Sequence, residues 1–314
     1  MDSLSAILDS VRLASTAISC AHLGAPWSIR TEGAPAGVFH AALEGSAWID
    51  AGSAGPPLRL AQGDVVVIPS GGPHTLCDEL STPEVAIRDL PLKRGQNGVG
   101  VLRHGGPGAR ARIFGGTFHL EHDAERSLLS RLPPLMHVPA GRAPGGEPTA
   151  ATLQLLDHEM SRDAPGSKTL VLRLCDVLFV QVLREHIAVS PAGARGWLAA
   201  LRDEHVGKAL ALIHQNPAER WDARLLAARA GTSRSRLFAR FTELVGEPPA
   251  RYVGRWRSLP AADLLGHRRT SIADVAEQVG DSSEDAFVKA FKRHIGHSPS
   301  EYRKKLSARP ALAA

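Results

Sequence analysis

The stretch Leu226-Ala227-Ala228-Arg229-Ala230-Gly231-Thr232-Ser233-Arg234-Ser235-Arg236-Leu237 decides how the last third of this chain folds, because it occurs twice. Val275-Ala276-Glu277-Gln278-Val279-Gly280 repeats its first half, and Ser283-Glu284-Asp285-Ala286-Phe287 repeats its second. Downstream, Phe241, Gly246, Pro249 and Tyr252 return as Phe291, Gly296, Pro299 and Tyr302. The offset is 49 residues from Gly231 to Gly280 and 50 from Ser233 to Ser283, so the second copy carries one inserted residue at Asp281-Ser282. Each copy has the pattern of two helices joined by a tight turn. A short apolar helix stops at a Gly that tolerates the left-handed conformation of a helix end. A Ser two or three residues on can cap the next helix. That second helix has apolar residues four apart, Leu237 and Phe241 or Phe287 and Phe291, to pack on the first. Its other face carries Arg234, Arg236 and Arg240, or Lys289, Lys292 and Arg293. Helix-turn-helix proteins place the start of this second helix in the major groove of DNA.

Charge points the same way. The chain of 314 residues has a net charge of +5. Residues 203–314 hold 19 Lys/Arg and 13 Asp/Glu, so the excess positive charge lies in this last third. A basic segment joined to a neutral one suits a polyanionic partner.

The stretch 205–302 resembles the DNA-binding domain of AraC/XylS-type bacterial transcription regulators. The residues that carry the resemblance are Leu226-Ala227, Gly231-x-Ser233-Arg234-Ser235, Phe241, Gly246-x-x-Pro249-x-x-Tyr252, Arg255-Trp256-Arg257 and Ala261-x-x-Leu264-Leu265. They continue through Ile272-Ala273-Asp274-Val275-Ala276, Val279-Gly280, Ser283-Glu284-x-x-Phe287, Phe291-Lys292-Arg293 and Gly296-x-Ser298-Pro299-x-x-Tyr302-Arg303. The resemblance implies two helix-turn-helix units joined by one long helix, here about 249–265. Their recognition helices would enter successive major grooves about 34 Å apart on double-stranded DNA. By position, Ser233, Arg234, Ser235, Arg236 and Arg240 are expected to face DNA in the first unit. Ser283, Lys289, Lys292 and Arg293 are expected to do so in the second. Two departures stand out. Pro260 falls inside the connecting helix, where it removes a backbone hydrogen bond. Asp281 replaces an aromatic residue, and with Glu284 and Asp285 it adds negative charge that should repel phosphate. The second unit is therefore expected to read fewer bases and to serve as a phosphate anchor or a contact for RNA polymerase.

The N-terminal part is expected to be a small β-barrel. Val38-Phe39-His40-Ala41-Ala42-Leu43, Ala47-Trp48-Ile49, Val65-Val66-Val67-Ile68-Pro69 and Ile113–Leu120 are strand-like runs between Gly, Pro and Asp turn signals. Gly63-Asp64-Val65-Val66-Val67-Ile68-Pro69-Ser70-Gly71-Gly72-Pro73-His74 fits the second motif of cupins, G-x5-P-x-G-x2-H. With Phe39-His40, Glu44-Gly45-x-x-Trp48 and Leu132-Pro133-Pro134-Leu135, this part resembles the cupin-type sensor domains of such regulators. Beyond a Pro/Gly-rich stretch at 139–148, Leu153, Leu156 and Met160 suit one helix. Leu170, Leu174, Val177, Leu178 and Leu183 suit a second, expected at 169–187. The expected fold class is α+β multidomain. A cupin-like sensor spans 1–138, a linker with a helical dimerisation segment spans 139–202, and the all-α double helix-turn-helix domain spans 203–306.

Metal cupins use three His and a Glu. Here only His40 and His74 stand at such positions, since Ala42 replaces the second His of the first motif. The pair is read as hydrogen-bonded structural histidines, with metal binding as the alternative, and no cofactor is expected. The three cysteines make neither a disulfide framework nor a zinc pattern. The resemblance extends to a reactive-chlorine-sensing branch. Cys20 matches that branch's first cysteine, but its Cys-Gly pair is Gly115-Gly116 here; Cys20 and Cys77 are read as small buried cysteines, with Cys77 as a substitute redox partner for Cys20 the alternative. Cys175 lies on the apolar helix and is read as packing. The barrel interior is the expected effector pocket, with Trp27, Phe39, His40, Trp48 and His74 as liners. Lys93, Arg94, Arg110 and Arg112 form a basic cluster that would attract an anionic effector or simply be a solvated surface.

These readings favour a sequence-specific regulator, an activator, over an enzyme. A cupin-class metalloenzyme fused to a DNA-binding module is the alternative. No apolar run is long enough to cross a bilayer and no secretory signal is evident at the N-terminus. A cytoplasmic homodimer is expected, with a small-molecule or oxidant effector.

Overall fold

The computed structural model describes residues 4–5, 13–95, 98–120, 132–141, 147–162, 164–189, 196–266, 270–281 and 283–308. They form two compact units. One holds the described residues of 13–192 and the other those from Gly196 onward.

The first unit contains twelve strands: β1 (Leu13–Gly24), β2 (Ser28–Thr31), β3 (Gly37–Glu44), β4 (Ala47–Asp50), β5 (Leu58–Leu60), β6 (Val65–Ile68), β7 (His74–Cys77), β8 (Val85–Ala86), β9 (Lys93–Arg94), β10 (Gly100–Gly105), β11 (Arg110–Leu120) and β12 (Met136–Val138). The larger sheet runs β12-β6-β3-β11-β1-β10-β9, and the smaller runs β5-β4-β7-β2-β8. The expected barrel is thus a cupin-like sandwich. Among the described residues neither sheet closes on itself. Strand parity builds the space between the sheets. Ala42 of β3, Val66 and Ile68 of β6 and Ile113 of β11 face Ile29, Ile49, Leu60 and Leu76 of the smaller sheet in one buried cluster.

The opposite parity of the larger sheet meets helices α1 (Glu147–Ser161) and α2 (Ser167–Val189). Phe118 of β11 packs on Phe179 of α2, with ring centroids 4.5 Å apart. The Pro/Gly-rich stretch at 139–148 lies partly outside the described residues, and α1 starts within it at Glu147. The helix pair is therefore part of the sheet unit. One side of α2, with Val171, Cys175, Leu178, Phe179 and Val182, is buried, whereas Leu170 and Val177 remain about half exposed. The single apolar face expected for α2 is in fact split between core and solvent.

The second unit is all helical: α3 (Trp197–Ala200), α4 (Glu204–Gln215), α5 (Ala223–Arg229), α6 (Arg234–Val245), α7 (Pro249–Gly266), α8 (Ile272–Gln278), α9 (Glu284–Ile295) and α10 (Pro299–Ala308). Helix α4 opens on Asp203, whose carboxylate accepts from the amides of His205 and Val206. Helix α7 runs unbroken through Pro260. Its first half carries Tyr252 and Trp256, stacked at 6.2 Å between ring centroids. The Tyr252 hydroxyl accepts from the Trp197 indole at 3.2 Å and lies 2.8 Å from His214 Nε2. Its second half presents Ala261, Ala262 and Leu265 to Val275, Val279, Phe287, Phe291 and Tyr302. The long helix thereby serves as one wall of two separate small cores.

Candidate nucleic-acid interface and ligand cavity

The two copies of the repeat fold as two bihelical motifs, α5–α6 and α8–α9. Both glycines between the paired helices adopt positive φ, +73° at Gly231 and +78° at Gly280. At Gly280 space forbids a side chain as well, since a Cβ there would lie 2.0 Å from the carbonyl oxygen of Ala218. Ser233 caps α6 by accepting from the Arg236 amide, and Ser283 caps α9 by accepting from the Ala286 amide. The serine cap is thus the same in both copies, although one more residue precedes it in the second.

Buried Leu237, Phe241, Leu244 and Val245 fix the inner side of α6. Ser233, Arg234, Ser235 and Arg236 are exposed at its start. Arg240 is placed differently. Its guanidinium donates to Asp203 at 2.9 Å and to Glu243 at 3.0 Å, so it braces α6 against the start of α4. On α9, Ser283, Lys289, Lys292 and Arg293 are exposed, as are Glu284 and Asp285. Asp281 does not join those acids. Arg257 of α7 pairs with it at 3.5 Å and also donates to the carbonyls of Pro217 (2.9 Å) and Glu219 (2.7 Å). The three-acid repulsion expected from the sequence reduces to Glu284 and Asp285, because the Asp281 charge is half-buried and compensated within the fold. Arg255, part of the family pattern, is likewise internal, donating twice to the buried Glu247.

A cavity of about 670 Å³ opens between the two sheets. Apolar walls come from Ile18, Leu23, Ile29, Val38, Leu76, Leu102 and Ile113, and Arg88, Lys93 and Arg94 also line it. Of these, Arg88 pairs with Glu32. His40 and His74 are the two expected liners that do line it. The other three do not. Phe39 neighbours His40 on β3, so parity turns it to the helix side, where it packs on Phe114. Trp27 is sealed in the core, and Trp48 lies on the outer side of the smaller sheet, in register with Cys77. Thr31 and Arg88 were not singled out in the sequence; neither belongs to a motif.

His40 and His74 meet with Nε2 atoms 2.7 Å apart. His74 Nδ1 is 2.9 Å from the Gly72 carbonyl, which can only accept, so that nitrogen carries the proton. His74 Nε2 is then the acceptor and His40 donates to it. Burial pushes both imidazoles below their ordinary value, and for His40 the neighbouring His74 adds to the effect. Among the described residues no group of three or more His, Cys, Asp or Glu converges on a metal position. Two histidines bonded to each other do not fit the three-His-and-Glu set of metal cupins.

Cupin sequences match residues 2–188, and a helix-turn-helix domain matches residues 226–305. The chain is 34% identical to an AraC-like transcription regulator of Streptomyces lividans, over 97% of this chain and 98% of that protein. It is 30% identical to the HTH-type transcriptional regulator AlkR of Acinetobacter baylyi, over 96% of this chain and 99% of that protein. It is also similar to a crystal structure of the DNA-binding domain of AdpA in complex with a target DNA. That likeness has 32% identity and a TM-score of 0.33, and covers 35% of this chain and 99% of that one. The chain is an AraC-type transcription regulator with an N-terminal cupin domain.

In this AraC-type regulator the two cysteines considered as a redox pair are not brought together. Cys20 lies in the larger sheet near Arg112, which pairs with Asp157 of α1. Cys77 lies in the smaller sheet beside Trp48. All three thiols are buried. Burial raises Cys20, with Arg112 opposing, and pushes Cys77 up to about 11 and Cys175 up to about 12, so these thiols stay protonated near neutral pH. Arg112 and Arg110 do not line the cavity, whereas Lys93 and Arg94 do. Among the described residues no helix is long and apolar enough to cross a membrane.

Proposed function

We propose that this regulator is a sequence-specific activator, not an enzyme, in which a ligand held between the two sheets governs DNA reading by two helix-turn-helix units. The observation that carries the DNA reading is the start of α6. Arg234, Ser235 and Arg236 stand exposed together there, behind a capped and rigid turn. Arg bonded to both guanine acceptors is the commonest specific contact in the major groove. In the second unit, Lys289, Lys292 and Arg293 would grip phosphates while Glu284 and Asp285 limit close approach. The ligand would combine an apolar body with a polar group that reaches the histidine pair, and negative charge would suit Lys93 and Arg94. Two chains would pair through the exposed Leu155, Leu170 and Val177 of α1 and α2. The DNA-bound dimer would act through contact with RNA polymerase.

The test is selection of duplexes from a random pool by the full-length protein, with titration of the chosen site against scrambled competitor. A defined motif is expected. Replacing Arg234 and Arg236 together with Ala should weaken binding to it at least about 10- to 100-fold, the usual worth of one base-reading pair. Equal binding to every sequence, governed by salt alone, would refute the proposal.

A further inference from the structure

Phe238 is half exposed, with 50% of its surface open to solvent, on the second turn of α6. A single exposed apolar residue commonly means nothing. This one sits four residues after Arg234 and three after Ser235, so all three share one side of the helix proposed to enter the groove. The buried positions Leu237 and Phe241 flank it in sequence, and the ring is nevertheless left outside the core that they form. In the second copy of the repeat the equivalent position is Val288, which is half-buried and packs against its own core. Only the first reading helix offers an aromatic ring to its surroundings at this place.

A phenyl ring has no hydrogen to donate and no lone pair to offer. In the major groove, where base edges otherwise present donors and acceptors, its match is the C5-methyl group of thymine. Arg234 and Phe238 lie one helical turn apart, about 5–6 Å along the axis. Base pairs follow every 3.4 Å along each strand. We infer that Phe238 is a specificity-determining residue that contacts a thymine methyl one or two base pairs from the base read by Arg234. This rests on the proposed docking of α6 and adds to it a commitment about one pyrimidine.

The experiment uses the full-length protein and the motif obtained by selection. Each thymine is replaced in turn by deoxyuridine, which removes the methyl and leaves every hydrogen-bonding group in place. At one thymine the substitution should weaken wild-type binding about fourfold, the worth of one methyl group returned to water. Phe238→Ala should bind the thymine and uracil duplexes equally at that position, while Phe238→Leu keeps part of the difference. Because Phe238 is exposed, both variants should melt with the wild type. A motif with no methyl-sensitive thymine overturns the inference and leaves the reading of α6 intact. So does a sensitivity that survives in Phe238→Ala. A selection that yields no motif overturns that reading, and the inference falls with it.

Discussion

His40 and His74 close one end of a hydrogen-bond chain that reaches the backbone: the Gly72 carbonyl fixes the proton on His74 Nδ1, and His40 donates to the bare Nε2 at 2.7 Å. Burial disfavours the cation of each ring in the folded protein. In the unfolded chain each takes up a proton below about pH 6.5.

The unfolded state therefore binds more protons in that range, and stability must fall as pH drops below about 6.5. The slope is at most about 1.4 kcal/mol per pH unit for each histidine. His22, His186 and His294 are also lowered by burial and contribute a background. The comparison that isolates the pair is His40→Leu against the wild type, with urea denaturation measured at about pH 7.5 and 5.5. The variant should lose less stability on acidification, and parallel losses would show that the pair is not the titrating element.

Arg257 binds three parts of the second unit at once, the carbonyls of Pro217 and Glu219 and the carboxylate of Asp281. Replacing it with Ala leaves Asp281 half-buried without its partner and two carbonyls without a donor. A loss of about 3 kcal/mol is expected, the range for breaking a buried ion pair from one side. Lysine in its place cannot span the three acceptors and should restore little. Chemical denaturation of the two variants measures both values.

Glu284 and Asp285 stand exposed in the first turn of α9. Changing both to Ala removes repulsion from phosphate. Affinity for unrelated duplex DNA should rise by about 3- to 10-fold at low salt, with little change at high salt. Fluorescence anisotropy across a salt series tests this, and a gain that persists at high salt would contradict a charge effect.

Leu170 and Val177 lie seven residues apart on α2 and are 51% and 46% exposed. With both changed to Glu, the protein should sediment as a monomer and keep its melting temperature within a few degrees. Leu178 is unsuited to such a test, because it is buried in the sheet unit and a charge there would be left without a partner.

The helix-turn-helix copies were legible in the sequence because their physics is local. A glycine at +73° or +78° and a serine cap each act within one turn of chain. The strands were legible for the same reason. The cavity liners were less so. Nothing local in the sequence excludes Trp27 and Trp48 as liners, whereas the alternation of β3 already sets Phe39 opposite His40. The roles of Arg240 and Asp281 lay beyond reach, since their partners Asp203 and Arg257 are 37 and 24 residues away in sequence. No local pattern links them. Phe238 escaped notice because an apolar residue among basic ones looks like core until its exposure is seen.

Arg234 and Glu284 fill the same place in the two bihelical motifs, the first helical residue after the capping serine, with opposite charge. Turned end for end on a duplex, the protein would present a cation where it had presented an anion. If both motifs dock as proposed, a site for one chain has a head and a tail, and no palindrome within it satisfies both halves.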